Sequence, residues 1–207
     1  MASNINVAIP PLGTPTTAGV RGNFSVAKTE IEALQLARVL RLAYRNEITE
    51  GFQQCTTSDV AQVVTFNTEI FNHPAGSFTW DSLNSEIIIN EPGWYAWQVN
   101  LHITRKVATS NVNWSIWSQV KEPPAVVFSN YVGAGRSMTL IPDATNNKHF
   151  LSFGFDVHTP VAGTRIRFMQ ATSDASKQVG IISYPATGIY PSMAGIMMSI
   201  HRLSVEE

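Results

Sequence analysis

Acid–base or ligand chemistry in this chain would start from FDVH, residues 155–158, where Asp156 and His158 stand two apart. On an extended strand that spacing puts both side chains on one face, as an acid/base or ligand pair requires, while His149 falls on the opposite parity. No third ligand can be assigned to the pair. His73, His102 and His201 are scattered, and Cys55 is the only cysteine, which rules out an intramolecular disulfide and a cysteine-rich zinc site. The sequence holds no Gly-x-Ser-x-Gly elbow, no phosphate-binding loop and no His-Glu-x-x-His pair. Asp156 and His158 are therefore read as a satisfied or solvent-facing pair and Cys55 as a buried thiol, with no catalytic residue, cofactor or metal expected. Carbohydrate recognition is the other chemistry to weigh, since exposed rings beside Asn, Asp and Gln bind sugars. Trp114 and Trp117 are three apart in NWSIWSQV, so they point to opposite faces of a strand and one lies outside the core. Tyr131, Tyr184 and Tyr190 sit near turns. Packing in the core or against another subunit is the reading taken for each ring.

The elements that must carry these residues are mostly strands. EPGWYAWQVNLHITR, residues 91–105, enters through a Pro-Gly turn and then alternates, so that Tyr95, Trp97, Val99, Leu101 and Ile103 share one face. The other face begins with Trp94 and Ala96 before Gln98, Asn100, His102 and Thr104, which leaves an indole on the face that should be polar. Further runs follow from Asp59 onward: VAQVVTF, SEIIINE, VNWSIWSQV, AVVFSNYV, SMTLI, HFLSFGFDVH, TRIRFMQAT, QVGIISY and AGIMMSIHRL. They are separated by turn-rich pieces such as NHPAGS, PDATNN and TPVAGT. About ten short strands with no helix between them predict a β-sandwich or barrel over residues 59–207.

The N-terminal part reads differently. Residues 1–16 carry Pro10, Pro11, Pro15 and Gly13, and proline biases itself and its predecessor toward extended backbone, which predicts an arm. Its apolar residues Ile5, Val7, Ile9 and Leu12 are the expected anchors on a partner surface. A helix is predicted over 17–46, with Thr16 or Thr17 as N-cap. Val20, Phe24, Ala27, Ile31 and Leu34 recur at four, three, four and three, the spacing of a short heptad seam. The next seam positions are Arg38 and Arg41, where a coiled coil stops or changes face. Packing of the helix on its own domain is the alternative. Residues 47–58 are read as a linker.

Composition narrows the function classes. Apolar residues make up 44% of the 207 and charged residues 14%, against roughly 25% charged in an ordinary soluble domain. Either the surface is rich in uncharged polar groups or much of it is buried against other chains. A net charge of −1 and the absence of a Lys/Arg run argue against nucleic-acid binding. The N-terminus lacks the basic and apolar regions of a secretion signal, and the longest apolar runs are far too short to span a bilayer. The expectation is a chain made in a cytoplasm and used as translated, without membrane insertion.

FNTEIFNHPAGSFTWDSLNSEIIINEPGWYAWQVNLHI, then VAGTRIRFMQ and SMAGIMMSIHRL, resemble in order the tumour-necrosis-factor-like jelly roll shared with complement-type globular heads. The resemblance covers about residues 60–203 and departs from the family pattern at Thr164, where an Asp is usual. It implies a mainly β jelly-roll sandwich and a homotrimer in which each subunit packs its flank on two neighbours. Trp94 would then be covered by another subunit, joined in the interface by the helical stripe Val20, Phe24, Ile31 and Leu34. AIPPLGTPTTAGVRGNFSVAKTEIEALQ is similar to the leader of many tailed-bacteriophage virion proteins. Together the two resemblances imply a non-enzymatic virion protein assembled in the host cytoplasm. Within that class a trimeric capsid decoration, cement or head-fibre protein is favoured, held on the major capsid protein or another virion protein by its arm and helix. The chain is short and has no repetitive shaft, which sets it apart from a tail fibre. The alternative is a tail-fibre or receptor-binding module recognising a host-surface glycan or protein. An enzyme such as a depolymerase comes third, because no paired carboxylates stand out.

Overall fold

The computed structural model of the chain describes residues 18, 21–28, 38–46, 48–142 and 148–204. Two units divide at residue 38. In the first, the described residues 18 and 21–28 are helical, and Phe24 is exposed. The predicted seam residues Val20, Ile31 and Leu34, and the arm residues Ile5, Val7, Ile9 and Leu12, lie outside the described residues.

The second unit, Arg38–Glu206, is a sandwich of two antiparallel sheets. Its strands are β1 (Val39–Tyr44), β2 (Gly51–Gln54), β3 (Gln62–Val63), β4 (Thr68–His73), β5 (Phe78–Asp81), β6 (Glu86–Ile89), β7 (Gly93–Arg105), β8 (Val112–Lys121), β9 (Ser129–Leu140), β10 (Lys148–Thr159), β11 (Thr164–Thr172), β12 (Val179–Ser183) and β13 (Ile196–Ser204). The larger sheet runs β2-β12-β7-β13-β1-β4, with β10 also paired to β7. The central β7 is bonded along one edge to β10, and along the other to β13 over Trp94–Leu101 and to β12 over Ile103–Arg105. The smaller sheet runs β5-β6-β11-β8-β9, with β3 added to β11.

The expected sandwich is present, but its start is not where the spacing put it. The predicted helix over 17–46 and linker over 47–58 are corrected: β1 and β2 fall inside them, and the sandwich begins at Arg38 rather than at residue 59. The physical reason is a local ambiguity resolved by a distant partner. In VLRLAY, Leu40, Leu42 and Tyr44 alternate as a strand requires, yet Val39, Leu42 and Ala43 also fit a helical stripe. Pairing with β13, from Val39↔His201 to Tyr44↔Ile196, decides for the strand and buries Leu40 and Leu42 completely. Two smaller differences follow from turns. AVVF precedes β9 as a loop, and SNYV and SMTL are parts of that one strand, whose register against β8 shifts around Gly133 at φ +86°.

The core lies between the sheets. Tyr95, Trp97, Val99, Leu101 and Ile103 of β7 are all buried, as their parity predicts. Trp97 stacks on Phe155 at 5.7 Å between centroids and meets Phe168 from the smaller sheet at 5.9 Å. One polar chain crosses the core: Trp114 Nε1 donates to Gln170 Oε1 at 3.2 Å, and Gln170 Nε2 donates to the Gln53 carbonyl at 3.0 Å, tying β11 to β2 across the sandwich, whereas the buried Trp97 Nε1 and Ser118 Oγ have no hydrogen-bond partner. One close approach leaves no room for a side chain, since a Cβ at Gly180 would stand 2.2 Å from the Gln53 carbonyl oxygen. The strand ends are clamped by Glu91, whose carboxylate forms an ion pair with Arg38 Nε at 2.8 Å and accepts from Arg202, while Arg202 also reaches the Pro92 carbonyl.

Candidate assembly interface

Every strand that fills the core with one parity presents the other to solvent, and on the larger sheet that outer face is unusual. Across β10, β7, β13, β1 and β4 the register sets the side chains in rows. At the end where β7 begins, Trp94 lies opposite His158, and the two rings stack at 4.7 Å with 27° between planes. The next row runs Asp156, Ala96, His201, Val39, His73. The centre is polar and internally bonded: Gln98 Nε2 donates to Ser152 Oγ at 2.9 Å, and Ser152 Oγ donates to Asn100 Oδ1 at 2.7 Å. At the far end His102 faces Phe150, with rings 5.3 Å apart, and both line a hollow of about 400 Å³ shared with Ile70, Met193 and Met197.

Large apolar side chains remain open on this face. Trp94 is 45% exposed, Phe150 60% and Leu203 58%, and Met197, Ile70, Phe71 and Met193 are each nearly half exposed. With aromatic side chains of roughly 200 Å² as the measure, these seven leave on the order of 600 Å² of apolar surface in contact with water, divided by the polar centre into a part around Trp94 and a larger part around the Phe150 hollow. Two hydrogen bonds within the polar centre lower the cost of covering it, because the groups that make them need no water. The arrangement can therefore do one thing well, which is to bury itself against another protein surface.

Trp94 sits where the sequence placed it, outside the core, and its neighbour Trp97 inside. Of the predicted interface residues, Trp94 is on this sheet and Phe24 is in the other unit, while Val20, Ile31 and Leu34 lie outside the described residues. Asp156 and His158 share the outer face as their spacing requires, and His149 points to the other side. Asp156 is exposed, and His158 is occupied by the Trp94 stack and by the approach of its backbone N–H to Tyr131 Oη at 3.4 Å. Among the described residues no group of three His, Cys, Asp or Glu could hold a metal ion. Burial pushes the Cys55 thiol up to about 12, with a hydrogen bond to Trp114 working weakly the other way. Trp114 is in the core, whereas Trp117 faces out on the smaller sheet and donates to Asn130 Oδ1 at 2.9 Å. Tyr184 and Tyr190 do come together, lining a hollow of about 320 Å³ with Pro185, Thr187, Pro191 and Met193. Tyr131 packs at the margin of the core.

Sequence reasoning missed Phe150, Met197, Leu203, Ile70 and Phe71. The first three stand on the outward parity of HFLSFGFDVH and IMMSIHRL, so the same alternation test that isolated Trp94 would have found them once a register was assigned. Ile70 and Phe71 are adjacent, and both reach solvent only because the β1–β4 pairing shifts register between Arg41 and Leu42.

No family model and no curated protein matches the chain. Among solved structures it is similar to that of Eiger TNF from S. frugiperda, with a TM-score of 0.51 and 8% identity over 84% of this chain and 96% of that one. At that identity the likeness is one of fold, and the fold is a TNF-like jelly-roll sandwich of two antiparallel sheets.

Proposed function

We propose that the chain is a non-enzymatic structural protein whose sandwich closes into a homotrimer through the outer face of the larger sheet. It serves as a virion protein of the capsid decoration, cement or head-fibre kind. The observation that carries the assembly reading is that apolar face with half-uncovered Trp94 at its head. Covering it in a closed ring of three follows the jelly roll that the chain resembles, and a heterologous contact that closes leaves no free copy of the face to recruit further subunits. The virion assignment is supported by the N-terminal resemblance and by the low charge of a chain with much surface to bury. Attachment through residues 1–37 to the major capsid protein or another virion protein would let three linked arms bind with avidity. Sedimentation equilibrium tests assembly, and a stable monomer at micromolar concentration refutes it. An antibody to this chain, located on head, tail or neither of the particles, tests the assignment.

A receptor-binding role is favoured by one separate observation, the hollow between Tyr184–Pro185 and Tyr190–Pro191. Two tyrosine rings beside a threonine hydroxyl are the elements of a sugar-binding site. Binding on a glycan array that is lost in Tyr190→Ala would establish it, and an array without signal removes the reason for holding it.

A further inference from the structure

Four of the five histidines of this chain, His73, His102, His158 and His201, stand on the outer face of the larger sheet, and only His149 is on the other parity. A face meant to be buried between subunits is a poor place for groups that gain charge near neutral pH. We propose that assembly through this face is reversed by acid, because protonating its histidines makes the contact repulsive and costly to desolvate. The inference rests on the assembly reading above and adds its regulation.

The surroundings of each imidazole differ in what they do to a charge. His102 is walled by Phe150 at 5.3 Å and Tyr184 at 6.1 Å, and Arg45 shares the rim of its hollow. Lys148 lies beyond, with its Nζ 4.6 Å from the Tyr184 ring. The carboxylate on that side is Glu50, which acts on Tyr184 and is bound to Lys106 at 2.8 Å. Cations and rings thus outnumber the acid, and burial already depresses the basicity of His102 in the single subunit. His158 has Trp94 on one side and Asp156 two residues away on its own strand. His201 lies between Ala96 and Val39, with Asp156 beyond Ala96 on β10 and Arg41 two residues along β1. His73 meets Phe71 at 5.9 Å and lies across from Val39, with Arg41 on the neighbouring strand and Glu69 on its own. Asp156 partly compensates a charge on His158 or His201, so His102 is the strongest element of the switch.

The sign follows from linkage. A histidine that stays neutral in the assembly has its pKa lowered there, so its contribution is complete above the ordinary value of about 6.5 and is lost as the pH falls below it. A histidine at the ordinary value in the free subunit and neutral in the assembly weakens association at pH 5 by about 30-fold, and by about 3 × 10⁴ over three subunits; these are upper limits for His102, which burial already lowers in the free subunit.

The test measures the association constant of the full chain by sedimentation equilibrium at pH 7.5 and pH 5.0, with near-UV circular dichroism recording the fold. The expected result is a trimer at pH 7.5 and a folded monomer at pH 5.0, reversible on neutralisation. In His102→Gln the ratio of the two constants should shrink, by at most about 3 × 10⁴ because burial already lowers His102 in the free subunit, whatever the value at pH 7.5. A trimer with the same constant at both pH values overturns the switch and leaves the assembly reading standing. A monomer at pH 7.5 overturns both. An unchanged ratio in His102→Gln and in the combined His73→Gln, His158→Gln and His201→Gln variant shows that acid works through other groups, and loss of the near-UV signal at pH 5.0 shows that it works through unfolding. Should a variant not fold, imidazole NMR titration of the unmodified chain at trimeric and at dilute monomeric concentration decides: a His102 that titrates lower in the trimer supports the switch, and equal values overturn it.

Discussion

Replacing Trp94 by alanine separates an indole waiting for a neighbouring subunit from one that belongs to its own domain. In the isolated subunit the side chain is 45% exposed and stacks on the His158 ring at 4.7 Å. An indole residue offers up to about 250 Å², so about 110 Å² remains for a partner to cover, worth about 3 kcal/mol per contact at 25 cal/mol per Å². At 1.4 kcal/mol for each factor of ten, Trp94→Ala should weaken each contact by about 100-fold, and the loss compounds over the three contacts of a closed ring. The subunit itself should lose only the stacking with His158, about 1 kcal/mol. Trp97→Ala should behave in the opposite way. That ring is 2% exposed between Phe155 and Phe168, and its truncation should cost the fold about 3–5 kcal/mol. Sedimentation equilibrium reads the association constants. Urea unfolding at two protein concentrations separates the subunit's stability from the contribution of mass action, which would otherwise raise the midpoint with concentration. Equal losses of folding stability from both substitutions, with no change in association, would show Trp94 to be ordinary core and would remove the case for this face as an interface.

The remaining predictions concern the frame that holds the face. A chain beginning at Arg38 should fold as the sandwich, whereas one beginning near residue 55 loses β1 and β2 and should give no cooperative unfolding transition; a folded product from the shorter chain would refute the corrected boundary. Glu91→Gln leaves two guanidinium groups beside a neutral amide and should cost about 2 kcal/mol by thermal or urea unfolding, less than a fully buried pair because Glu91 is one-third exposed. Gly180→Ala forces the β2–β12 pair apart against backbone at Gln53 and should lower stability by more than the usual 1–3 kcal/mol of overpacking. The Cys55 thiol, pushed up to about 12 by burial, should stay unreactive toward a disulfide reagent at pH 8 and react fully in 6 M guanidinium, and fast labelling of the native protein would contradict its burial.

The long strands were legible because they need only themselves. In β7 five core residues on one parity make the inward face unambiguous from sequence, and TRIRFMQAT coincides with β11 residue for residue. β2 was not legible, because GFQQ has one apolar side chain and owes its existence to pairing with β12, 125 or more residues later, and to the Gln170 side chain bonding its backbone. β1 failed for a related reason: its alternation is real but short, and a helical seam arriving from the N-terminal side suggests the wrong period until β13 is known to lie beside it.

The candidate interface divides along the same line. Trp94 was found from one strand because it broke that strand's own alternation. The rest of the face is made by register between strands far apart in sequence, such as His158 against Trp94 and His201 against both Ala96 and Val39. No single segment reveals it. A lone apolar residue on an outward parity is ordinary, and so is a lone histidine. Seven half-exposed apolar side chains and four histidines brought onto one sheet face are a property of the pairing. That is why reading residue by residue points to a tryptophan in need of cover, whereas the folded sheet supplies the surface on which association, and its dependence on pH, can be measured.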